Sequence, residues 1–471
     1  MRNAPSSGRA RRAGAIVAAC LAPAVLAPLA LALSAPANGA PAAPALTLYA
    51  DASLIDGTGA PEKAHQDILV EGERILALGP HGTLAGASGA RQVDLAGRVV
   101  IPGLIDSHVH LATPPNPPRA EAILRRDLYG GVTAVRDMAD DLRPVGELTR
   151  EALVGEIAAP DIFYAALMAG PAFFKDPRVQ AVSVGVKVGA APWMQEIDSD
   201  VDLRTAVTLA RGTSATAIKI YADLPATEVA AITAEAHRQH LKVWAHSAVF
   251  PARPADVVAA DVDVLSHVCY MAYEIQKTIP AAYEDHTPVD ERLLARTGDD
   301  PVMASLFRGM LANGQILDAT GSLFVRYDAE RKAHPERPPL RCTGPAVIRL
   351  TRQAARMGVP ISTGTDFAWG ADRVWPEVDD ELFFLAHDVG LSPLAVIHAA
   401  TEVGAQAAGQ EADMGVIAPG KLANFVVLTA DPAADIGAIQ KVDMTVKRGR
   451  VYRRVDFNPP TAAELGDGND D

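Results

Sequence analysis

Residues Val99–Leu111 read VVIPGLIDSHVHL, an apolar strand-like run that ends in Asp106, His108 and His110. Strand side chains alternate faces, so His108 and His110 point the same way, and two imidazoles on one face can hold one metal ion. A hydrogen-bonded pair in a core is the plainer use of two histidines. Two polar rings in so apolar a strand fit it poorly.

Downstream of this run, from 101 to 408, apolar strand-like stretches alternate with Ala-rich helical ones, the pattern of parallel strands joined by crossover helices. Candidate strands are Leu104–Leu111, Val132–Met138, Ile162–Ala169, Ala217–Ala222, Lys242–Ala248, Val264–Cys269, Gln315–Thr320 and Pro360–Asp366. Eight such units predict a (β/α)8 TIM barrel. An open doubly wound sheet is the alternative, but no G-x-G-x-x-G follows any of these strands. Met271–Gly314 and Leu323–Pro345 read as long irregular stretches after strands six and seven, where a barrel carries substrate lids.

On both sides of this middle lie short apolar runs broken by Gly and Pro. Examples are LTLYADASLID and DILVEGERILALG at one end and KLANFVVLTAD and MTVKRGRVYRR at the other. They predict a small discontinuous β-sandwich domain from residues 41–100 and 409–458, with an acidic tail without order over 459–471.

Residues 1–40 read as a secretory signal peptide: Arg2, Arg9, Arg11 and Arg12 precede an apolar stretch from Ala13 to Leu33, and Ala35-Pro36-Ala37 fits a cleavage site. The expectation is an exported chain, periplasmic or secreted. A lipoprotein attached through Cys20 fits less well, because most of the apolar run follows that cysteine. No second apolar span of membrane length follows, so no membrane span remains after signal removal. The chain carries 57 acidic against 43 basic residues, and losing those four arginines with no acid takes its formal charge from −14 to −18. Such a balance offers no basic footprint for nucleic acid. Of the three cysteines only Cys269 and Cys342 then remain, too few for a disulfide framework, and the sequence leaves open whether they pair.

Polar residues recur at the ends of the candidate strands. They are His108 and His110 on the first, Lys219 in AIKIYAD on the fourth, His246 in KVWAHSA on the fifth, His267 in VLSHV on the sixth and Asp366 in ISTGTD on the eighth. In a barrel these ends meet at one mouth. Lys219 lies between Ile218 and Ile220 in a strand buried on both sides, where a bare ammonium is costly. It either pairs with an acid or is neutralised, one route being carbamylation by carbon dioxide. His65, His81, His237, His240, His286, His334, His387 and His398 read as ordinary surface or structural histidines.

Taken together, these residues resemble the amidohydrolase superfamily, from YADASLIDGTG through IPGLIDSHVHL and STGTD to PGKLANFVVL. TAVRDM and AIHAATEVGAQAAG are similar to its imidazolonepropionase-like branch, and the lysine to its binuclear carbamylated-lysine peptidases and amidases. The resemblance implies two zinc ions, one held by His108 and His110, the other by His246 and His267, with carbamylated Lys219 bridging and Asp366 completing the first site. It implies a metal-bridging hydroxide that attacks an amide C–N bond, with Asp366 as the catalytic proton shuttle. A small-molecule peptide-like or N-acyl amino acid substrate is expected. Rival readings are a cyclic amide hydrolase, a lactonase or phosphotriester-type hydrolase, and a non-catalytic metal-binding periplasmic protein. Tyr221, on the same face as Lys219, is a candidate substrate contact, as are Arg326 and Arg341 for a substrate carboxylate. The number of subunits, including a homo-oligomer, is left open.

Overall fold

The computed structural model describes residues 45–366 and 373–465; the expected signal peptide lies outside them. The run Val99–Leu111 divides at Gly103. Val99–Pro102 pairs antiparallel with Phe425–Leu428, whereas Leu104–Val109 pairs parallel with Val132–Asp137. A Cβ at position 103 would stand 2.1 Å from Thr133 Oγ1, so only glycine lets the chain pass from one sheet to the other here.

The barrel strands are β1 (Leu104–Val109), β2 (Val132–Asp137), β3 (Asp161–Ala169), β4 (Ala217–Ile220), β5 (Lys242–His246), β6 (Val264–Ser266), β7 (Ile316–Asp318) and β8 (Ile361–Ser362). They pair in parallel in that order. The ring closes between β8 and β1, where Ser107 N donates to Thr363 O at 2.6 Å and Asp366 N to His108 O at 2.8 Å. All eight expected strands are present. Val, Ile, Leu and Ala dominate them because barrel strands are buried on both faces.

Leu46–Leu54, Lys63–Glu71, Arg74–Pro80, Arg91–Asp94 and Val99–Pro102 form a second sheet with Phe425–Leu428, Val442–Lys447 and Arg450–Arg453. This is one continuous sheet around a core of Tyr49, Ile68, Val70, Val100, Phe425, Val427 and Met444. It docks on the barrel through buried Lys447, which meets Asp161 of β3 at 2.9 Å and Ala152 O at 2.8 Å.

One expectation is corrected. The stretches read as irregular contain the helix Pro301–Asn313 and most of the helix Gly321–Ala333. The first begins where Asp300 accepts from the amides of Val302 and Met303 and Pro301 occupies the first turn, a start signal hidden by the preceding GDD. At the end of the described residues Ala462–Leu465 forms a helical turn, and Glu464 pairs with Arg125 at 2.9 Å. Cys269 and Cys342 form a disulfide across 73 residues of sequence. No helix among the described residues is long and apolar enough to cross a membrane.

Candidate active site

The strand-end residues do meet. His108, His267 and Asp366 place one ligand atom each within 4.8 Å of one another. Asp366 Oδ1 lies 3.3 Å from His108 Nε2 and 3.2 Å from His110 Nε2, and its Oδ2 lies 3.8 Å from His267 Nε2. His246 joins from β5, its ring 4.8 Å from that of His267.

Each of three rings is oriented from behind. His108 Nδ1 donates to Asp318 at 2.7 Å and His110 Nδ1 to Asp140 at 2.7 Å. Thr320 spends its hydroxyl proton on Ala319 O, so it accepts from His267 Nδ1 at 2.8 Å. These bonds put an Nδ1–H behind each of the three rings and turn every Nε2 toward Asp366. Lone pairs set against a carboxylate repel unless a proton or a cation lies among them, so the donor set fits a metal ion.

Burial decides the charges. It holds His267 down at about 3 and His246 well below the usual imidazole range, with Lys219 and its neighbours adding repulsion. It also opposes charge on His110, but Asp140 and Asp366 outweigh it and raise that ring well above the ordinary value. Lys219 is fully buried, its Nζ has no hydrogen-bond partner among the described residues, and burial lowers it to about 7 against the pull of Asp318 and Asp366. The orphaned amine is what a carbamate, with its extra oxygens, would turn into a satisfied group.

The backbone is strained around the same residues: Asp366, His267 and Thr320 have φ of 56°, 69° and 47°. Non-glycine residues hold such angles at a cost of about 1 kcal/mol or more each, and they gather at functional sites. Gly364 is equally constrained, since a Cβ there would sit 2.1 Å from Asp318 Oδ1.

Tyr221 reaches the site, its ring 4.2 Å from His246 and 4.4 Å from Phe173. Tyr270 and Tyr283 complete an aromatic wall over His246, with Tyr283 carried on the segment after β6. Arg341 does not present a free guanidinium to a substrate. It is buried and clamps that segment, donating to Tyr283 O at 2.5 Å and Asp285 O at 2.9 Å. Arg326 lies on the helix after β7 and pairs with Glu330 at 3.0 Å.

Sequence reasoning missed the supporting layer. Asp318 carried the same signal as Lys219, an ionisable residue inside an apolar strand. Asp140 was hidden among the acids of RDMADD, and Arg136, which approaches Asp318 at 3.5 Å from inside the barrel, was read only as part of a motif.

The profile of the Amidohydrolase family matches residues 99–452. The chain is 34% identical over 100 residues to the D-hydantoinase of Streptomyces coelicolor, covering 20% of this chain and 21% of that one. It is 44% identical over 63 residues to the D-aminoacylase of Alcaligenes xylosoxydans xylosoxydans, covering 13% and 12%. The matched stretches thus span about a fifth or less of these curated relatives. Among solved structures, a Xaa-Pro dipeptidase with bound methionine superimposes with a TM-score of 0.69 at 22% identity, over 87% of this chain and 100% of that one. Ochratoxinase of A. niger gives 0.69 at 20% identity, over 88% and 98%. At such identity these structures speak for the fold, and the profile match across most of the chain speaks for descent: the protein belongs to the Amidohydrolase family.

Proposed function

We propose that this protein is an exported, metal-dependent amidohydrolase that cleaves amide C–N bonds of peptide-like or N-acyl amino acid substrates. The observation that carries the reading is the buried, unpartnered amine of Lys219 beside a ring of oriented imidazoles and one carboxylate. His108, His110 and Asp366 would hold one ion, zinc by preference for imidazole ligands, and His246 and His267 a second. Lys219 would bridge them after its neutral amine adds to carbon dioxide, forming an N–C bond and releasing a proton. When bound, the ions polarise the scissile carbonyl and acidify water.

The chain's own groups account for the rest. Asp366 accepts the proton of the attacking water and delivers it to the departing nitrogen. Its side chain, 22% exposed, and that of His110, 23% exposed, stand at the opening of a cluster whose other members are buried. Tyr221, Tyr270 and Tyr283 exclude water and give an aromatic wall for the substrate's side chain. Export follows the reading of residues 1–40, and the Cys269–Cys342 disulfide supports an oxidising compartment. N-terminal sequencing of protein recovered outside the cytoplasm tests that part.

The activity is tested by screening metal-replete protein against N-acyl amino acids, dipeptides, hydantoin rings and lactones. Turnover of linear amides supports the proposal, and turnover confined to lactones contradicts it. A cyclic amide is the second reading, favoured by the stretch similar to a D-hydantoinase, and the hydantoin arm decides it.

A further inference from the structure

Away from the barrel mouth, the outer face of the helix Gly344–Arg356 and the segment before Pro301 enclose a cleft of about 420 Å³. Arg296, Arg349, Arg352 and Arg356 line it, with Asp299 as the lone acid of the lining. The setting makes this unusual, because acids outnumber bases by 57 to 43 over the chain. Four like charges around one concavity repel one another and raise the local potential, which a bound anion relieves.

The arginines are partly fixed in place. Arg349 Nη1 donates to Ala295 O at 3.3 Å and Arg352 Nε to Val389 O at 3.2 Å. Arg352 also bonds Asp388 O, and Arg356 pairs with Asp299. These contacts use one edge of a guanidinium and leave donors elsewhere on it. Arg296 is exposed and makes no hydrogen bond or ion pair among the described residues, so all its donors are available. A fork of donors suits phosphoryl oxygens, and arginines held in place lose little freedom on binding.

We propose that this cleft is a second ligand site, specific for a compact anion bearing at least two phosphoryl groups. The volume lies within the range of about 300–1,000 Å³ common for small-molecule sites, more room than a single-atom anion needs. The local balance of four cations against Asp299 requires more than one negative charge. A concave site between a helix and a loop favours a free ligand over a flat charged surface.

The test is calorimetric titration of the metal-loaded protein with inorganic pyrophosphate at about 150 mM salt, where exposed pairwise attraction is screened. Saturable binding is expected, weakened about tenfold or more by Arg296→Glu and similarly by Arg349→Gln, as loss of a charge-assisted contact implies. Arg296→Glu breaks no bond of the fold, so its thermal midpoint without anion should match the wild type. Amide turnover should also be unchanged in both variants. No saturable binding overturns the proposal, as does binding that both variants retain, including removal of metal from the mouth by the titrant. Binding to phosphatidylglycerol vesicles with none to free pyrophosphate would overturn it too.

Discussion

Two halves of the mouth differ in how far the protein alone satisfies them. On the side of β1, β6 and β8, every imidazole has a partner behind it: Asp318 for His108, Asp140 for His110 and Thr320 for His267. On the side of β4 and β5, Lys219 Nζ and His246 Nδ1 are buried with no hydrogen-bond partner among the described residues. A buried polar group without a partner costs about 1–3 kcal/mol, so the second half is at a disadvantage that ligation and carbamylation would remove. The first ion's imidazoles are oriented in advance, whereas a second ion would draw on His267 from the satisfied half and complete Lys219 and His246 on the other.

Four substitutions bear on that contrast, from the largest effect to the smallest. Lys219→Ala should abolish nearly all turnover and the second ion while sparing the first, and short carboxylic acids should restore part of the rate. Normal activity in this variant would make Lys219 a structural cation. Asp366→Asn should keep the fold and cost on the order of a hundredfold or more in rate, as loss of a general acid–base group does. Metal content measured beside the rate separates proton transfer from ligation.

Asp318→Asn acts one layer back. It removes the charge that holds His108 and leaves an amide beside Arg136, so metal affinity or rate should fall about 10- to 100-fold. Equal effects on both ions would blur the contrast, since the first site should suffer more. Thr320→Val deletes the acceptor for His267 Nδ1 together with the hydroxyl's bond to Ala319 O, and a loss of about tenfold in second-ion affinity, with kcat less affected than metal binding, is expected. Titration with a zinc-selective dye reads both.

The barrel and the ring of polar strand ends were legible because both are patterned. Apolar runs repeat at spacings that fit strand and crossover helix, and an ionisable residue in such a run stands out, as Lys219 and His246 do. The layer behind them was less legible. Whether Asp318 or Asp106 faces a histidine depends on strand register, which a single sequence does not fix. Asp106 in fact accepts from Thr365 and the His108 amide, tying β1 to β8. Of the aromatic wall only Tyr221, beside Lys219 on one strand, was legible: Phe173, Tyr270 and Tyr283 come from separate segments and meet it only once the barrel has closed. Arg341 shows the converse, an exposed-looking charge in a polar stretch whose donors are consumed by backbone carbonyls.

The central claim is that the unsatisfied half of the mouth holds a second ion bridged to the first through Lys219. Elemental analysis of protein purified from cells grown with ample zinc and bicarbonate tests it most directly. About two zinc-class ions per chain are expected, because four imidazoles, Asp366 and a carbamate exceed the ligands of one tetrahedral ion. A single tightly bound ion, unchanged in number by Lys219→Ala, would contradict it.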